Sequence, residues 1–201
     1  MRKTKHKKNG LIVAITIILL IVAGITIYLG YGATMINPKN EKSIINHLSA
    51  DKNNPIKILE TKEYNDRFAI LYTDPLEAKG NEYSAHLQYY VKNKYYSNRF
   101  EFKAGTGGSQ TQTMVLFLQI DNDNDEYINN CSCFIGNVAS EETKCSVFEL
   151  DENLLPIRKL DELDVPQTSY IFVKEYELKN KDNEIVVYDG AIDLKELTGE
   201  E

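Results

Sequence analysis

The sharpest chemical pattern in this sequence is an acidic run, Asp121-Asn-Asp-Asn-Asp125-Glu. Its alternate carboxylates, Asp121, Asp123 and Asp125, can converge their oxygens on one cation when the chain curls, which is how calcium loops begin. An EF-hand loop needs glycine at its sixth position and glutamate at its twelfth, and glutamate and serine stand there instead. Asp and Asn also suit an ordinary solvated turn between strands. The run therefore predicts at most a weak calcium site at these three residues, and no other metal or cofactor.

Three cysteines, Cys131, Cys133 and Cys145, are the next candidates. An odd number leaves at least one thiol unpaired within the chain, and the single residue between Cys131 and Cys133 strains a mutual disulfide. If 131–138 and 144–150 form a hairpin, Cys133 lies roughly 13 Å from Cys145 at strand rise. A disulfide tolerates only about 7 Å between Cα atoms. Because no other soft ligand is nearby, we predict small, partly buried free thiols rather than a metal site.

Residues for catalysis are few. Outside the basic tail the only histidines are His47 and His86, and the sequence has no Gly-x-Ser-x-Gly, no His-Glu-x-x-His and no cysteine with an evident base. The many carboxylates could supply an acid–base pair, as in glycosidases, but nothing in the sequence selects two of them. We therefore predict a non-catalytic protein and assign no catalytic residue.

A glycine-rich run and a tyrosine cluster have ordinary structural interpretations. Gly105-Thr-Gly-Gly-Ser-Gln110 lacks the Lys-Ser/Thr of a phosphate loop and precedes a strand, so it predicts a flexible hairpin connection. In the tyrosine cluster, Tyr83, Tyr89, Tyr90, Tyr95 and Tyr96, alternation places Tyr83 and Tyr89 on the core face of their strand and Tyr90 on the other face. This favours core and cross-strand packing. An exposed aromatic row that stacks on sugar rings or on a partner is the alternative.

A membrane segment is predicted near the N-terminus, because residues 9–38 contain no charged side chain. An apolar run of about 20 residues can cross a bilayer as a helix, so we predict a transmembrane helix over 11–32. The preceding tail, 1–10, is basic, and the positive-inside rule keeps it in the cytoplasm and exports the rest. A signal peptide cleaved after Gly32 is the alternative, but its apolar core is normally only about 7–15 residues.

The exported part is strongly acidic. The tail holds five of the 23 Lys and Arg residues, which leaves 18 basic residues against all 30 acidic ones. The net charge is therefore about −12 outside, compared with −7 for the whole chain. This argues against nucleic acid, anionic lipid or anionic wall polymers as direct ligands, since each would be repelled. Cations, basic partners and uncharged glycans remain compatible.

The first element after the membrane segment is a short helix. Asn37-Pro38 is typical of a helix start, and Ile44, Ile45 and Leu48 recur at helical spacing through Glu41–Ala50. We predict a short amphipathic helix within a juxtamembrane segment, 33–55.

From residue 56 the apolar period changes to two, which is typical of strands. Short connections, among them 92–94 and 179–183, indicate antiparallel neighbours, and Met114–Ile120 is apolar on both faces, which predicts the most central strand. Residues 56–201 are therefore predicted to form an all-β domain, an antiparallel meander that makes a sandwich or an open barrel. The predicted strands are Ile56–Thr61, Phe68–Thr73, Tyr83–Lys92, Arg99–Ala104, Gln112–Ile120, Cys131–Val138, Cys145–Leu150, Tyr170–Tyr176 and Glu184–Tyr188.

The order of these features resembles small uncharacterised membrane-anchored proteins of Gram-positive bacteria. The likeness is carried by Lys8 with the apolar run, the helix at 41–50, Ile56-Lys-Ile-Leu-Glu with Phe68-Ala-Ile-Leu-Tyr72, and the strand–Gly-Thr-Gly-Gly–strand pattern at 99–120. It implies an extracytoplasmic location and β content, and no functional residue carries over from it.

Together these observations predict a single-pass protein of the cell membrane that contacts the bilayer through residues 11–32. Its extracytoplasmic domain is expected to be a non-catalytic module that binds a protein partner or a cell-envelope component, and not nucleic acid. The alternatives are a sensor or regulatory subunit of a membrane complex and an unrecognised envelope hydrolase. Because the short cytoplasmic tail cannot signal alone, the regulatory alternative requires a partner.

Overall fold

The computed structural model describes residues 3–49, 52–53, 55–75, 83–96, 98–110, 114–120, 130–138, 143–180 and 182–199. They form an all-β domain preceded by an apolar helix and a short helix, which confirms the predicted fold class. The helices are α1 (Lys3–Ala33), α2 (Glu41–Leu48) and α3 (Leu194–Thr198). The strands are β1 (Lys57–Tyr64), β2 (Arg67–Asp74), β3 (Tyr83–Lys92), β4 (Phe100–Gln110), β5 (Met114–Ile120), β6 (Asn130–Val138), β7 (Lys144–Leu150), β8 (Pro156–Asp164), β9 (Tyr170–Glu177) and β10 (Glu184–Asp189).

Helix α1 is long and apolar enough to cross a membrane. Its segment Val13–Ala33 has a mean hydropathy of 2.6, and its most apolar stretch is not buried within the molecule. Leu20 and Ile27, for example, are 68% and 72% exposed. A helix that is apolar on all sides needs an apolar environment, which the described part of the β domain does not provide for this helix.

The strands form three antiparallel sheets. The first sheet has the order β1-β2-β3-β4 and is the predicted meander, the middle sheet has the order β5-β6-β9, and the third sheet has the order β10-β7-β8. The sheets are stacked and do not close into a barrel. In the first sheet, β2 is buried along its length because both of its faces are covered.

The middle sheet is buried between the other two sheets. Along β6, Phe134 packs against Leu71 and Leu87 of the first sheet, whereas Cys133 packs against Val147 of the third sheet. Such a sheet needs apolar residues on both faces at every position. That requirement explains why β5 looked central from its sequence, although it is an edge strand and β6 is the central one.

The outer face of the first sheet is covered by α2 and the segment before it. Ile36 and Ile44 join a buried cluster with Phe68, Ile70 and Tyr90. Ile36 also extends the sheet edge, because its N–H donates to the Phe100 carbonyl at 3.1 Å and its carbonyl accepts from the Phe100 N–H at 3.0 Å. Ile56, which follows α2, belongs to the same cluster, so residues before and after α2 are part of the packed structure.

The helix start predicted at Asn37 is wrong by three residues. Asn40 is the N-cap of α2, and its side chain accepts a hydrogen bond from the Ser43 N–H at 3.1 Å. Asn37 instead closes the preceding turn by accepting from the Lys39 N–H at 3.1 Å. Both asparagines satisfy backbone donors, and the helix begins only after the second one.

The predicted hairpin connection at 105–110 is wrong, because β4 runs straight through it. The long strand β3 pairs with β4 along its whole length, from Tyr83 opposite Gln110 to Lys92 opposite Phe100. Glycine is needed within β4 because a Cβ at Gly107 would lie 2.5 Å from Nδ1 of His86. The run therefore marks a close approach of neighbouring strands.

Two predicted pairings are also wrong, and one strand was missed. β6 pairs with β5 and β9, not with β7, and β9 and β10 lie in different sheets. Both β6 and β9 lie in the middle sheet, and the strands that follow them, β7 and β10, lie in the third sheet. Apolar side chains on these two sheets face each other. The missed strand, β8, has a sequence rich in charged residues.

Candidate functional site

The predicted calcium site at Asp121, Asp123 and Asp125 lies outside the described residues and stays a prediction. Within the described part of the chain, no group of three or more His, Cys, Asp or Glu side chains is arranged to hold a metal ion.

The three cysteines are free and buried, which confirms the predicted free thiols with more complete burial than expected. The Sγ atoms of Cys131 and Cys133 lie 4.0 Å apart. This contact and burial raise the pKa of Cys133 well above its usual range. Burial, and then the charges of Asp189 and Asp161, raise the pKa of Cys145 to about 11. Cys133 and Cys145 are therefore protonated at neutral pH and poor nucleophiles.

The arrangement nearest to a catalytic pair is Ser84 with His86, whose Oγ and Nε2 atoms lie 2.9 Å apart. The imidazole stacks on Tyr72 with ring centroids 5.1 Å apart, and Ser84 is only 4% exposed. A hydrolase nucleophile must be reached by the substrate carbonyl, so this geometry suits packing. His47 lies apart from this pair, on α2, where partial burial lowers its pKa.

In the tyrosine cluster, Tyr89 and Tyr90 serve packing, and the side chain of Tyr83 lies outside the described part of the structure. Tyr90 is 1% exposed on the outer face of the first sheet, and Tyr89 on the opposite face lies 6.2 Å from Phe134, as the alternation predicted. The Tyr90 hydroxyl donates to Gln88 Oε1 at 2.7 Å. Tyr95 differs from them, since it is 70% exposed at the turn that joins β3 to β4.

This β3–β4 turn contacts the last turns of α1. The rings of Tyr28 and Tyr96 stack with centroids 4.3 Å apart at 17°, and the Tyr96 hydroxyl donates to the Tyr28 carbonyl. The Tyr31 hydroxyl donates to Glu101 Oε1 at 3.1 Å. A Cβ at position 32 would lie 2.9 Å from the Tyr96 ring, so Gly32 permits this close contact. We call the end of the stacked sheets that contains this junction the α1 end.

Asn93 holds the β3–β4 turn in shape. Its Oδ1 accepts from the backbone N–H groups of Tyr95 and Tyr96 at 2.7 and 3.0 Å, and its amide donates to Glu101. Its own N–H donates to the Arg99 carbonyl at 2.8 Å. Asn93 therefore fixes the backbone at Tyr95 and Tyr96.

Two clefts flank this junction. The first has a volume of about 340 Å³ and is lined by Tyr31, Val91, Lys92, Asn93, Lys94, Tyr95, Glu101 and Lys103. The second has a volume of about 480 Å³ and is lined by Ala33, Met35, Asn40, Lys42, Ser43, Asn46, His47 and Arg99. The first contains one carboxylate and the second contains none, so neither has the carboxylate pair of a glycosidase.

The junction is cationic, although the chain is acidic. Residues 91–103 carry four basic side chains and one acidic one, whereas residues 104–201 carry seven basic against 21 acidic. Lys92 pairs with Asp66 at 3.2 Å. Among the described residues, no carboxylate lies within ion-pair distance of Lys42, Lys94 or Arg99. Sequence reasoning missed this site because it summed the charge over the whole exported part, although the local bias in 91–103 was readable.

A second residue that the sequence did not single out is Glu149, which is 0% exposed on β7. Its Oε2 pairs with Arg158 Nη2 at 2.6 Å, and its Oε1 accepts from the Lys179 N–H and the Asn183 amide, each at 2.6 Å. Burial alone would raise the pKa of Glu149, but the hydrogen bonds from Asn183, Lys179 and Arg158 outweigh it and lower that pKa. Each of these partners holds the carboxylate in its charged form, so the role of Glu149 is structural.

Comparison with known proteins identifies no relative: no family model matches the chain, and neither curated proteins nor solved structures give a match.

Proposed function

We propose that this is a single-pass membrane protein whose β domain lies outside the cytoplasm and acts as a non-catalytic binding module of the cell envelope. Its ligand is a protein partner or an envelope component. The length and hydropathy of α1 support a membrane span, and the basic residues before it support a cytoplasmic N-terminus.

The observation that carries this proposal is the junction between α1 and the β3–β4 turn. Cleavage after Gly32 would remove Tyr28 and Tyr31, which contact Tyr96 and Glu101. A signal peptide that leaves the protein has no need of specific contacts with the mature domain. The junction therefore favours a retained anchor that holds the domain at the membrane surface.

The non-catalytic part of the proposal is supported by the state of the candidate nucleophiles. Burial raises the pKa of the Cys145 thiol to about 11, and Ser84 is 4% exposed. The excess of acidic residues in 104–201 favours a basic protein partner or an uncharged glycan over an anionic polymer for the surfaces away from the junction.

Protease accessibility tests the topology and anchoring. The full chain with a C-terminal tag is expected to fractionate with membranes after carbonate washing and to keep its full mass of 23.0 kDa plus the tag. Protease added to intact protoplasts should remove the tag. A cytoplasmic protein of the same cells, which should survive, is the control. Protection of the tag until the membrane is permeabilised would contradict the proposal, as would a mature protein that lacks the first 32 residues.

A regulatory subunit is the second candidate, and the same junction favours it. Because Tyr96 stacks directly on Tyr28, a displacement of the β3–β4 turn on ligand binding would move the end of α1. A photocrosslinker at Leu20, which is 68% exposed on α1, should then capture a membrane partner. The same crosslinker at Tyr170, on the β domain, is the comparison. Adducts from position 170 alone would favour the binding module, and adducts from position 20 would favour the regulatory subunit.

A further inference from the structure

We propose that the α1 end of the β domain binds anionic lipid headgroups of the membrane that holds α1, with the cleft beside Lys42 and Arg99 as the headgroup site. The inference rests on the proposed anchoring, but it holds whichever face of the membrane carries the domain. It also adds a ligand class, since the sequence argument disfavoured anionic lipid on the basis of total charge.

The first argument is the depth of the junction. Tyr28 and Ala33 are five residues apart at the end of the apolar segment Val13–Ala33, which is about 7.5 Å along a helix. Because Tyr96 stacks on Tyr28, the β3–β4 turn lies beside the last helical turns rather than above them. Tyrosine rings favour the headgroup level of a membrane. The turn is therefore placed where headgroups are.

The second argument is the chemistry of the larger cleft. It is lined by Lys42 and Arg99, neither of which has a carboxylate partner among the described residues, and by Ser43, Asn46 and His47 as further hydrogen-bonding groups. A guanidinium presents paired donors that match phosphate oxygens, and an ammonium adds a point charge. The volume of about 480 Å³ is in the range of small-ligand sites and suits a phosphodiester headgroup.

The third argument concerns the direction of the stacked sheets. On β6, Phe134 lies beside Tyr89, and Gly136 lies beside Leu87. Since β3 runs toward the α1 end from 87 to 89, β6 runs away from that end and begins there at Asn130. Asn130 pairs with Glu177 of β9.

The β7–β8 turn, 151–155, lies at the same end. Arg158 Nη2 donates to the Glu177 carbonyl at 2.7 Å, which places the start of β8 beside the end of β9. Residues 151–155 connect directly to this start. The α1 end therefore contains the β1–β2, β3–β4 and β7–β8 turns, one or more from each of the outer sheets.

The β7–β8 turn exposes two leucines. Leu154 and Leu155 are each 60% exposed, and Leu154 has a φ of 61°, an unfavourable value for a residue with a branched side chain. The Asp151 carboxylate holds the turn by accepting from the Asn153 and Leu155 N–H groups, each at 2.9 Å. Two leucines presented at the end that carries a membrane helix fit the apolar edge of the same bilayer.

Local charge, rather than total charge, decides this interaction. The Debye length is about 8 Å at physiological ionic strength, so acidic residues farther than this from the cleft act weakly on a headgroup there. At the α1 end itself, Asp66 is paired with Lys92, and Asp151 accepts from the N–H groups of its own turn. The basic residues that the α1 end brings close to the membrane surface are Lys42, Lys94 and Arg99. Each basic residue beside a membrane strengthens binding to anionic lipid by about fivefold.

Single tryptophans test the proposal in the full chain, because the natural sequence contains none. Tyr95→Trp and Leu155→Trp place the reporter at the α1 end, and Tyr170→Trp places it at the opposite end of β9 as the matched control. Each chain is reconstituted in nanodiscs of phosphatidylcholine with or without phosphatidylglycerol, with EDTA present to remove any effect of calcium. Spin-labelled headgroups then quench tryptophans that lie near the bilayer.

We expect the Leu155→Trp reporter to be quenched at least twofold more with phosphatidylglycerol than without it, and this excess to fall in 0.5 M salt. Tyr95→Trp should be quenched in both lipids, because the β3–β4 turn contacts the end of α1, and more strongly in the anionic one. Tyr170→Trp should be quenched in neither. The salt titration needs no further mutation, so it keeps the test independent of any folding defect.

Charge variants in the Leu155→Trp background identify the cleft. Lys42→Gln with Arg99→Gln should weaken the phosphatidylglycerol-dependent quenching by about 25-fold in apparent affinity. Lys57→Gln with Lys144→Gln, at the ends of β1 and β7 that lie opposite the α1 end, should leave it unchanged. Equal quenching in both lipids, or no response to the cleft variant, would overturn the headgroup proposal while the anchoring stands. Failure of the chain to enter nanodiscs would overturn both.

Discussion

Glu149 illustrates why a charged side chain can lie inside a β core. It follows Cys145 and Val147 on the same face of β7, where the alternation calls for an apolar residue. Its two oxygens are instead satisfied by Arg158, Asn183 and the Lys179 N–H. These partners come from β8 and from the connection between β9 and β10, so one carboxylate joins segments of the middle and third sheets.

Replacing Glu149 by glutamine should destabilise the protein by about 2–3 kcal/mol, since the charge-assisted hydrogen bonds are lost while the shape is kept. For a chain of this size the melting temperature should fall by about 4–12 °C, measured by circular dichroism of the full chain in detergent. Glu177→Gln, on an exposed side chain of β9, is the control. An unchanged melting temperature for Glu149→Gln would show that the network contributes no stability.

The same carboxylate predicts a pH dependence. Its pKa in the folded protein lies below the ordinary value of 4.5, so the folded state favours the charged form. The stabilisation is therefore complete above pH 4.5 and is lost as the pH falls through the lower folded-state pKa. The difference in melting temperature between the natural chain and Glu149→Gln should shrink below pH 4.5. A difference that grows with acidity would contradict this assignment.

At the scale of elements, strands with clear alternation were predictable from the sequence. The bounds predicted for β3, Tyr83–Lys92, are those of the structure, because its residues have one apolar face and one polar face. β8 was missed since Lys159, Asp161 and Glu162 hide its alternation. Those charges are paired in the structure, Lys159 with Glu162 at 2.7 Å and Asp161 with Lys174 at 3.1 Å. Such pairing depends on neighbours that the local sequence does not show.

The glycines of β4 provide a prediction about this strand. A Cβ at Gly107 would lie 2.9 Å from the Ala85 carbonyl oxygen, which is backbone and cannot move freely. At Gly105 the nearest atom, at 2.8 Å, is the side-chain Cγ of Gln88, and the nearest backbone atom, the Leu87 carbonyl oxygen, is 3.4 Å away. Gly107→Ala should therefore destabilise the protein by about 1–3 kcal/mol, and the matched Gly105→Ala should cost less, because a side chain rather than the backbone has to shift. Equal losses in thermal unfolding would show that backbone crowding does not decide the effect.

At the scale of the whole molecule, the β content followed from the sequence but the stacking of the sheets did not. Whether β6 pairs with β7 or packs against it depends on which apolar faces meet. Cys133 and Val147 belong to one buried cluster between two sheets, and no local spacing distinguishes this from a hairpin. The candidate site could not be predicted for the same reason. Lys42 and Arg99 are far apart in the chain, and they share a cleft only because Ile36 pairs with Phe100.

That pairing leads to a prediction about which residues the folded unit requires. Ile36 and Ile44 are 0% and 2% exposed in the cluster that covers the first sheet, and burying an isoleucine stabilises a fold by about 1.5–3 kcal/mol. A chain of residues 34–201 keeps both and should unfold cooperatively within about 5 °C of the full chain, because α1 adds only contacts at the surface.

A chain of residues 56–201 loses both, and also uncovers Phe68 and Tyr90. Since whole domains are stable by only about 5–15 kcal/mol, it should be largely unfolded at 25 °C. Removing residues 194–201 is the matched truncation, because α3 buries no side chain, and it should cost little. Circular dichroism melts of the three chains decide the matter: equal stability of 34–201 and 56–201 would mean that α2 only tethers the domain, and an unfolded 34–201 would mean that α1 is part of the fold.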